Sequence, residues 1–256
     1  MTDWIILGLA VLPVILLLVY TNRKDKFEKE PFWMLAKAFL FGCLSTIPAV
    51  ILEGVLQTIY SVIFGNSQST LFFSVYNGYV VAGLSEELCK MLMLALAVWK
   101  SRHFNEYFDG IVYAACVSLG FAAVENVLYV FSGDTMSDII HTGILRAVLS
   151  VPAHFLFGVA MGYFFALAKF EPAKRGAHLR KAFFVPLLLH GTFDAIIFIY
   201  TLLAEDLPVV SLVLFALFIF FDIRLWKLGV RKMKYLQKRS EIQYWENYTS
   251  TEDENI

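Results

Sequence analysis

The stretch Ser85-Glu-Glu-Leu-Cys-Lys90 lies in the middle of a hydrophobic run that covers about residues 71–99. An ionisable side chain at the centre of a membrane helix costs about 2.5–3.5 kcal/mol on insertion scales, so ionisable groups there indicate a function. Glu86 and Lys90 share one helix face, and Glu87 is turned about 100° from Glu86. A Glu–Lys pair can be a structural contact, but such a pair does not need the second carboxylate.

The composition indicates an integral membrane protein. Of the 256 residues, 59% are hydrophobic and 17% are charged, against about 25% charged residues in soluble domains. The formal net charge is -1. The charge therefore suggests no nucleic-acid partner, and we expect a lipid bilayer as the surroundings.

Seven hydrophobic stretches are each long enough to cross a bilayer. Lys and Arg concentrate in every other connection, beginning with the first, and cytoplasmic loops carry the Lys/Arg excess; Lys90 and Arg146 depart from this distribution. We therefore predict an all-α, polytopic helical bundle of about seven transmembrane helices, with the N-terminus outside and the C-terminus inside. The stretches cover about residues 4–20, 33–56, 71–99, 109–131, 143–168, 182–203 and 208–226.

We predict a single membrane domain over residues 1–239 and a polar cytoplasmic tail over residues 240–256, which we expect to be disordered from about Tyr244. The connection from Ser132 to His141 is expected to be a loop. Glu53 falls near the end of the second stretch, and we expect it at the membrane interface.

Polar side chains recur on four of the predicted spans, mostly at i,i+4 spacing. At this spacing the polar side chains form a stripe along one face of each helix. Polar stripes cannot face lipid and must face one another, so these residues are expected to converge on one site between the bilayer centre and its outer half. Gly158 and Gly162 form a small-residue face that lets a neighbouring helix approach. The polar residues are Glu86, Glu87 and Lys90 on the third span, Glu125 and Asn126 on the fourth, Arg146 and His154 on the fifth, and His190 and Asp194 on the sixth.

This set of side chains matches the needs of peptide hydrolysis. A catalytic zinc site uses three protein ligands, often two His and one Glu, and keeps a position open. His154 and His190 with one carboxylate supply such a set, and a second carboxylate would act as general base. Asp194 could orient an imidazole. In a metal-free alternative, one Glu activates water and a His stabilises the oxyanion.

Two non-hydrolytic interpretations stay open at this point. In a membrane scaffold, the same stripes would hydrogen-bond helices to one another. In an ion- or proton-coupled transporter, they would form a relay, although the sequence shows no internal repeat of the kind that transporters carry.

Four motifs in chain order resemble those of the PrsW family of bacterial site-1 intramembrane proteases, and the likeness covers about residues 10–235. This family is related to the type II CAAX prenyl proteases (ABI) and to the γ-secretase subunit APH-1. The motifs are Ser85-Glu86-Glu87-x-x-Lys90, Gly120-Phe121-x-x-x-Glu125-Asn126, His154-x-x-x-Gly158 and Leu189-His190-Gly-x-x-Asp194.

The resemblance implies a multi-pass protein of the bacterial cell membrane that cuts the extracytoplasmic part of a single-span anti-sigma factor, RsiW. That cut leads to release of a sigma factor in envelope stress. Because APH-1 is related to this family, the alternative function is that of a non-catalytic membrane scaffold similar to APH-1. Glu125 stands where the CAAX branch has a His, so the ligand set of that branch does not transfer directly.

The resemblance also implies roles for individual residues. The expected catalytic residues are Glu86, Glu87 and His190, and the expected metal ligands are His154, His190 and Glu125. The supporting residues are Lys90, Glu125, Asn126 and Asp194. Zinc is the expected cofactor, with the metal-free glutamate mechanism as the alternative.

Overall fold

The structure is a computed structural model that describes residues 2–65, 67 and 69–253. Over these residues it is an all-helical bundle without strands, which confirms the predicted fold class. The helices are α1 (Thr2–Lys24), α2 (Phe32–Phe64), α3 (Leu71–Tyr76), α4 (Ser85–Val98), α5 (Asp109–Phe131), α6 (Met136–Leu145), α7 (Val151–Phe170), α8 (Arg175–Leu203) and α9 (Pro208–Asp253).

Several of these helices join into longer rods. A π-helical segment, Asn77–Leu84, links α3 to α4, and a second one, Arg146–Ser150, links α6 to α7. Among the described residues, six rods are long and apolar enough to cross a membrane. The third predicted span corresponds to α3, the π-helical segment and α4, which carry the ionisable residues of the opening stretch and are not among these six. The orientation of the termini stays a prediction.

The expected loop from Ser132 to His141 is wrong in its second half, because α6 begins at Met136. Thr135 caps this helix, and its side chain and that of Asp138 bond each other's backbone in a capping box. Polar residues in the first turn of a helix satisfy its free N–H groups. They also lower the local hydrophobicity, which is why the sequence suggested a loop.

The expected disorder after Tyr244 is also wrong for the described part of the tail, since α9 continues to Asp253. The backbone N–H of Phe108 donates to Ser240 Oγ at 2.8 Å, and Gln243 Nε2 donates to Asn105 O at 2.7 Å. These bonds attach the beginning of the tail to the connection before α5. Residues 254–256 lie outside the described residues, and the domain boundary at residue 239 stays a prediction.

Helix α5 is the centre of the bundle and packs against α1, α2 and α7. Every residue from Asp109 to Ala123 is buried. The α5–α7 contact confirms the predicted small-residue face: a Cβ added at Gly158 would lie 2.7 Å from Ser118 Cβ, and one at Gly162 would lie 2.8 Å from Ala114 Cβ. The absence of a side chain at both positions therefore allows the two helices to touch.

The π-helical segment Asn77–Leu84 packs closely against α8. A Cβ at Gly78 would lie 2.7 Å from the backbone N of Ala195, and one at Gly83 would lie 3.2 Å from Leu187 O. Single π-helical turns are often found at functional sites. Here the segment ends directly before Ser85, so the close packing fixes the position of the first two carboxylates against α8.

Candidate active site

Lys90 is bonded to both carboxylates of the opening stretch. Its Nζ lies 2.9 Å from Glu86 Oε2 and 2.9 Å from Glu87 Oε1, and 4.1 Å from the centre of the Phe121 ring. Lys90 and Glu87 are 0% exposed, and Glu86 is 5% exposed. The ammonium thus offsets part of the cost of burying two adjacent negative charges.

His190, on α8, faces the same carboxylates. Its Nδ1 lies 2.9 Å from Glu87 Oε1, and its Nε2 lies 3.2 Å from Asp194 Oδ2 and 3.9 Å from Glu86 Oε2. The ring of Phe157 stacks on the imidazole at 4.8 Å between centroids. Both ring nitrogens of His190 therefore face carboxylate oxygens.

His154, on α7, is held by a third carboxylate. Its Nε2 lies 2.7 Å from Glu125 Oε2, and its Nδ1 lies 3.2 Å from Lys90 Nζ. A carboxylate accepts and an ammonium donates, so Nε2 carries the proton and Nδ1 is the acceptor. Ser118 Oγ also donates to the backbone O of His154 at 2.6 Å. The lone pair of Nδ1 therefore points at Lys90 Nζ, which is itself bonded to Glu86 and Glu87.

Arg146 and Asn126 complete the support of Glu125. Arg146 Nη2 lies 2.8 Å from Glu125 Oε2, and its Nε donates to Asn126 Oδ1 at 2.8 Å. Asn126 Nδ2 donates in turn to the backbone O of Ala10 at 2.6 Å, which ties the network to α1. The predicted polar residues of all four spans are thus brought together.

A cavity of about 460 Å³ opens onto this group. Glu86, Glu125, Arg146, His154, His190 and Asp194 line it, whereas Lys90 and Glu87 are fully buried behind its wall. Glu53 and Asn77 also line the cavity. Glu53 is therefore part of the site, contrary to the expected interfacial position, because α2 extends to Phe64 and places this residue well inside the helix.

Four residues carry ligand atoms close enough to hold one metal ion: Glu86, Glu87, His154 and His190. One such atom from each lies within 4.8 Å of the other three. Glu125 is outside this group and contacts His154 on the opposite side of its ring. Carboxylate oxygens and imidazole nitrogens are the donors of catalytic zinc sites.

The donor set fits a divalent cation for two further reasons. Glu87 Oε2 is buried and has no hydrogen-bond partner among the described residues. A carboxylate on the far nitrogen of a ligating His is the arrangement that orients metal ligands, and Glu125 takes that place behind His154. Lys90, however, lies among the same atoms, so its ammonium competes with a bound ion.

The chain is similar to proteins of one known family over most of its length. The family described as "PrsW family intramembrane metalloprotease" matches residues 30–221. The curated Protease PrsW of Clostridioides difficile (strain 630) is 36% identical over 237 residues, covering 91% of this chain and 92% of the relative. Protease PrsW of Bacillus subtilis (strain 168) is 34% identical over 234 residues, covering 90% of this chain and 94% of the relative.

A third relative, Protease PrsW of Geobacillus kaustophilus (strain HTA426), is 34% identical over 229 residues, covering 90% of this chain and 91% of the relative. No solved structure matches the chain significantly. Six helices among the described residues are long and apolar enough to cross a membrane, and the bacterial relatives match over nearly their full length, so the chain is a multi-pass bacterial membrane protein. It belongs to the PrsW family of intramembrane metalloproteases.

Proposed function

We propose that this protease makes the first cut in the extracytoplasmic part of a single-span, membrane-anchored anti-sigma factor similar to RsiW. The cut exposes the remaining segment to a second protease and leads to release of the sigma factor. Membership in a protease family favours this proposal over the scaffold and transporter alternatives.

The observation that carries the proposal is the carboxylate–imidazole group beside a cavity in the membrane bundle. Glu125, in the last turns of α5, lines this cavity, and α5 begins at the end of the bundle that carries Lys100 and Arg102. If basic loops are cytoplasmic, the cavity lies in the outer half of the bilayer. A substrate cut near its extracytoplasmic end would reach it there.

The two adjacent carboxylates receive different roles in this proposal. Glu86 lines the cavity, so it is placed to take a proton from the attacking water and to return it to the leaving amine. Glu87 is fully buried between Lys90 and His190, so it is placed to hold a metal ion with His154 and His190. A bound zinc ion would lower the pKa of water and polarise the scissile carbonyl.

This ligand set differs in one residue from the set expected from the sequence. Glu125 is assigned to the orientation of His154, since it contacts the imidazole on the side away from Glu86 and Glu87. Arg146 fixes Glu125 in turn. Asp194 contacts His190 Nε2 and supports that ring from the cavity side.

Co-expression with candidate single-span anti-sigma factors tests the proposal. We expect a shortened substrate fragment with the unaltered protease and none with Glu87→Gln. Glu205→Gln, an exposed residue in the turn before α9, serves as the matched control and should cut normally. If no anti-sigma factor is cut while another membrane substrate is, the substrate assignment is wrong and the protease assignment stands.

A further inference from the structure

A second group of buried carboxylates lies at the opposite end of the bundle from the active site. Asp25, Glu106 and Asp109 are 1%, 5% and 0% exposed, and one carboxylate oxygen from each lies within 4.8 Å of the others. Along α5, Asp109 precedes Glu125 by about 24 Å at the 1.5 Å rise of an α-helix. The group is therefore separate from the site described above.

Two connections between helices and the start of α5 supply these carboxylates. Asp25 belongs to the connection between α1 and α2, Glu106 to the connection between α4 and α5, and Asp109 is the first residue of α5. Glu30, a fourth buried acid, lies at the end of the α1–α2 connection and accepts a hydrogen bond from the hydroxyl of Tyr113. Four buried acids thus converge where two connections meet the central helix.

In Asp25 and Asp109, one carboxylate oxygen accepts hydrogen bonds from backbone N–H groups, whereas the other oxygen accepts none from the described residues. The backbone N–H groups of Asn105 and Glu106 donate to Asp109 Oδ2 at 3.0 and 2.8 Å, and that of Glu30 donates to Asp25 Oδ2 at 3.3 Å. Asp25 Oδ1, Glu106 Oε1 and Asp109 Oδ1 are buried without a hydrogen-bond partner among the described residues. Buried acceptors are rarely left unpaired, since each one costs about 1–3 kcal/mol.

No side chain of the described part of the chain neutralises these acids through an ion pair. Burial raises the pKa of Asp25 to about 6 and the pKa of Glu30 to about 7. Burial, together with the negative charges of Asp25 and Glu28, raises the pKa of Glu106 to about 8. In the active site, by contrast, the cationic side chains of Lys90 and Arg146 form ion pairs with the carboxylates.

We propose that Asp25, Glu106 and Asp109 form a second cation site, which takes a hard divalent ion of the Mg²⁺ or Ca²⁺ class. Carboxylate oxygens without imidazole or thiolate are the donors that such ions prefer. Ligand distances of about 2.0–2.6 Å place opposite oxygens about 4–5 Å apart, which agrees with the spacing of the group. The ion fastens the two connections to the start of α5, the helix that carries Glu125 at its other end.

Binding of Mn²⁺, measured by electron paramagnetic resonance on the full-length protein in lipid nanodiscs, tests the proposal. Glu87→Gln combined with His190→Ala removes two of the three proposed metal ligands of the active site and serves as the parent. We expect one bound Mn²⁺ per chain in this parent, displaced by Mg²⁺ or Ca²⁺. Adding Glu106→Gln should weaken the binding at least about tenfold, since affinity follows the number of charged ligands.

Glu246→Gln is the matched control, because this residue is exposed on α9 near the same end of the bundle; the control should bind Mn²⁺ as the parent does. Asp25→Asn replaces Glu106→Gln if the latter does not fold. A parent that binds no Mn²⁺ would mean that protons alone neutralise the group, and the proposal would be overturned. Binding that Glu106→Gln and Asp25→Asn leave unchanged would overturn it too.

Discussion

His154 Nδ1 lies 3.2 Å from Lys90 Nζ, while Nε2 of the same ring contacts Glu125 at 2.7 Å. The ammonium therefore occupies a position shared by an imidazole lone pair and the carboxylates of Glu86 and Glu87. A divalent cation would use the same donors. Lys90 and a bound metal ion thus compete for one set of ligands.

This competition predicts the behaviour of Lys90→Met. Without metal, the variant should lose about 3–5 kcal/mol of stability, because removal of one partner leaves buried charges uncompensated. With zinc it should regain most of that loss, and its zinc affinity should exceed that of the unaltered protein by at least about tenfold. Thermal unfolding with zinc and with a chelator measures both effects.

Lys227→Met is the matched control, since Lys227 is exposed on α9 and its replacement should change neither quantity. A Lys90→Met protein that zinc stabilises no more than it stabilises the unaltered protein would show that Lys90 does not share the metal ligands.

Glu86→Gln and Glu87→Gln are expected to differ in metal content while both lose cleavage. Loss of a general base costs about 10²–10⁴-fold in rate, so Glu86→Gln should retain zinc but cut at least about a hundredfold more slowly. Glu87→Gln should lose both zinc and cleavage, because the fully buried carboxylate contacts His190 and Lys90 directly. Metal analysis of purified protein, paired with a cleavage assay, separates the two. The reverse pattern of metal content would exchange the proposed roles.

Glu125→Gln should weaken the site without abolishing it. A glutamine still contacts His154 Nε2, but it lacks the charge that strengthens the imidazole as a ligand and that pairs with Arg146. Loss of such an outer partner reduces metal affinity about 10–100-fold. A zinc titration followed by activity should therefore restore cleavage at higher zinc concentration. Failure to recover at any zinc concentration would indicate that Glu125 is itself a ligand, as the sequence suggested.

The convergence of the polar side chains of the active site could be predicted from the sequence, because a polar side chain on a membrane span cannot face lipid. Glu86, Glu125, His154 and His190 lie on four spans, and each had to face the bundle interior. The sequence left open which of the two adjacent carboxylates, Glu86 or Glu87, would bind a metal ion and which would move the proton. The position of Lys90 between Glu87 and His154 depends on the rotation of α4, which the π-helical segment Asn77–Leu84 sets.

Two acidic features were missed for different reasons. Glu53 appeared interfacial because the hydrophobicity of the second span falls before α2 ends at Phe64. The sequence analysis did not single out Asp25, Glu106 or Asp109, since charged residues near membrane-span ends are commonly solvated. Their burial depends on the packing of two connections against α5 and on the return of α9 over them, through contacts such as that of Ser240 with Phe108. The signal in the sequence was the presence of acids at the end of the bundle that is otherwise rich in Lys and Arg.

Gly158→Ala should destabilise the protein and reduce cleavage together. The added Cβ would lie 2.7 Å from Ser118 Cβ and 3.0 Å from Ala114 O, so α7 must move away from α5. That movement strains the 2.6 Å bond from Ser118 Oγ to the backbone O of His154, and overpacking of this kind costs about 1–3 kcal/mol. Gly54→Ala is the matched control, since nothing lies within 4 Å of its added Cβ; it should gain about 0.5–1 kcal/mol from helix propensity. Thermal unfolding and a cleavage assay on both variants measure the difference, and equal stability of the two would show that α5 and α7 do not need their close contact to position His154.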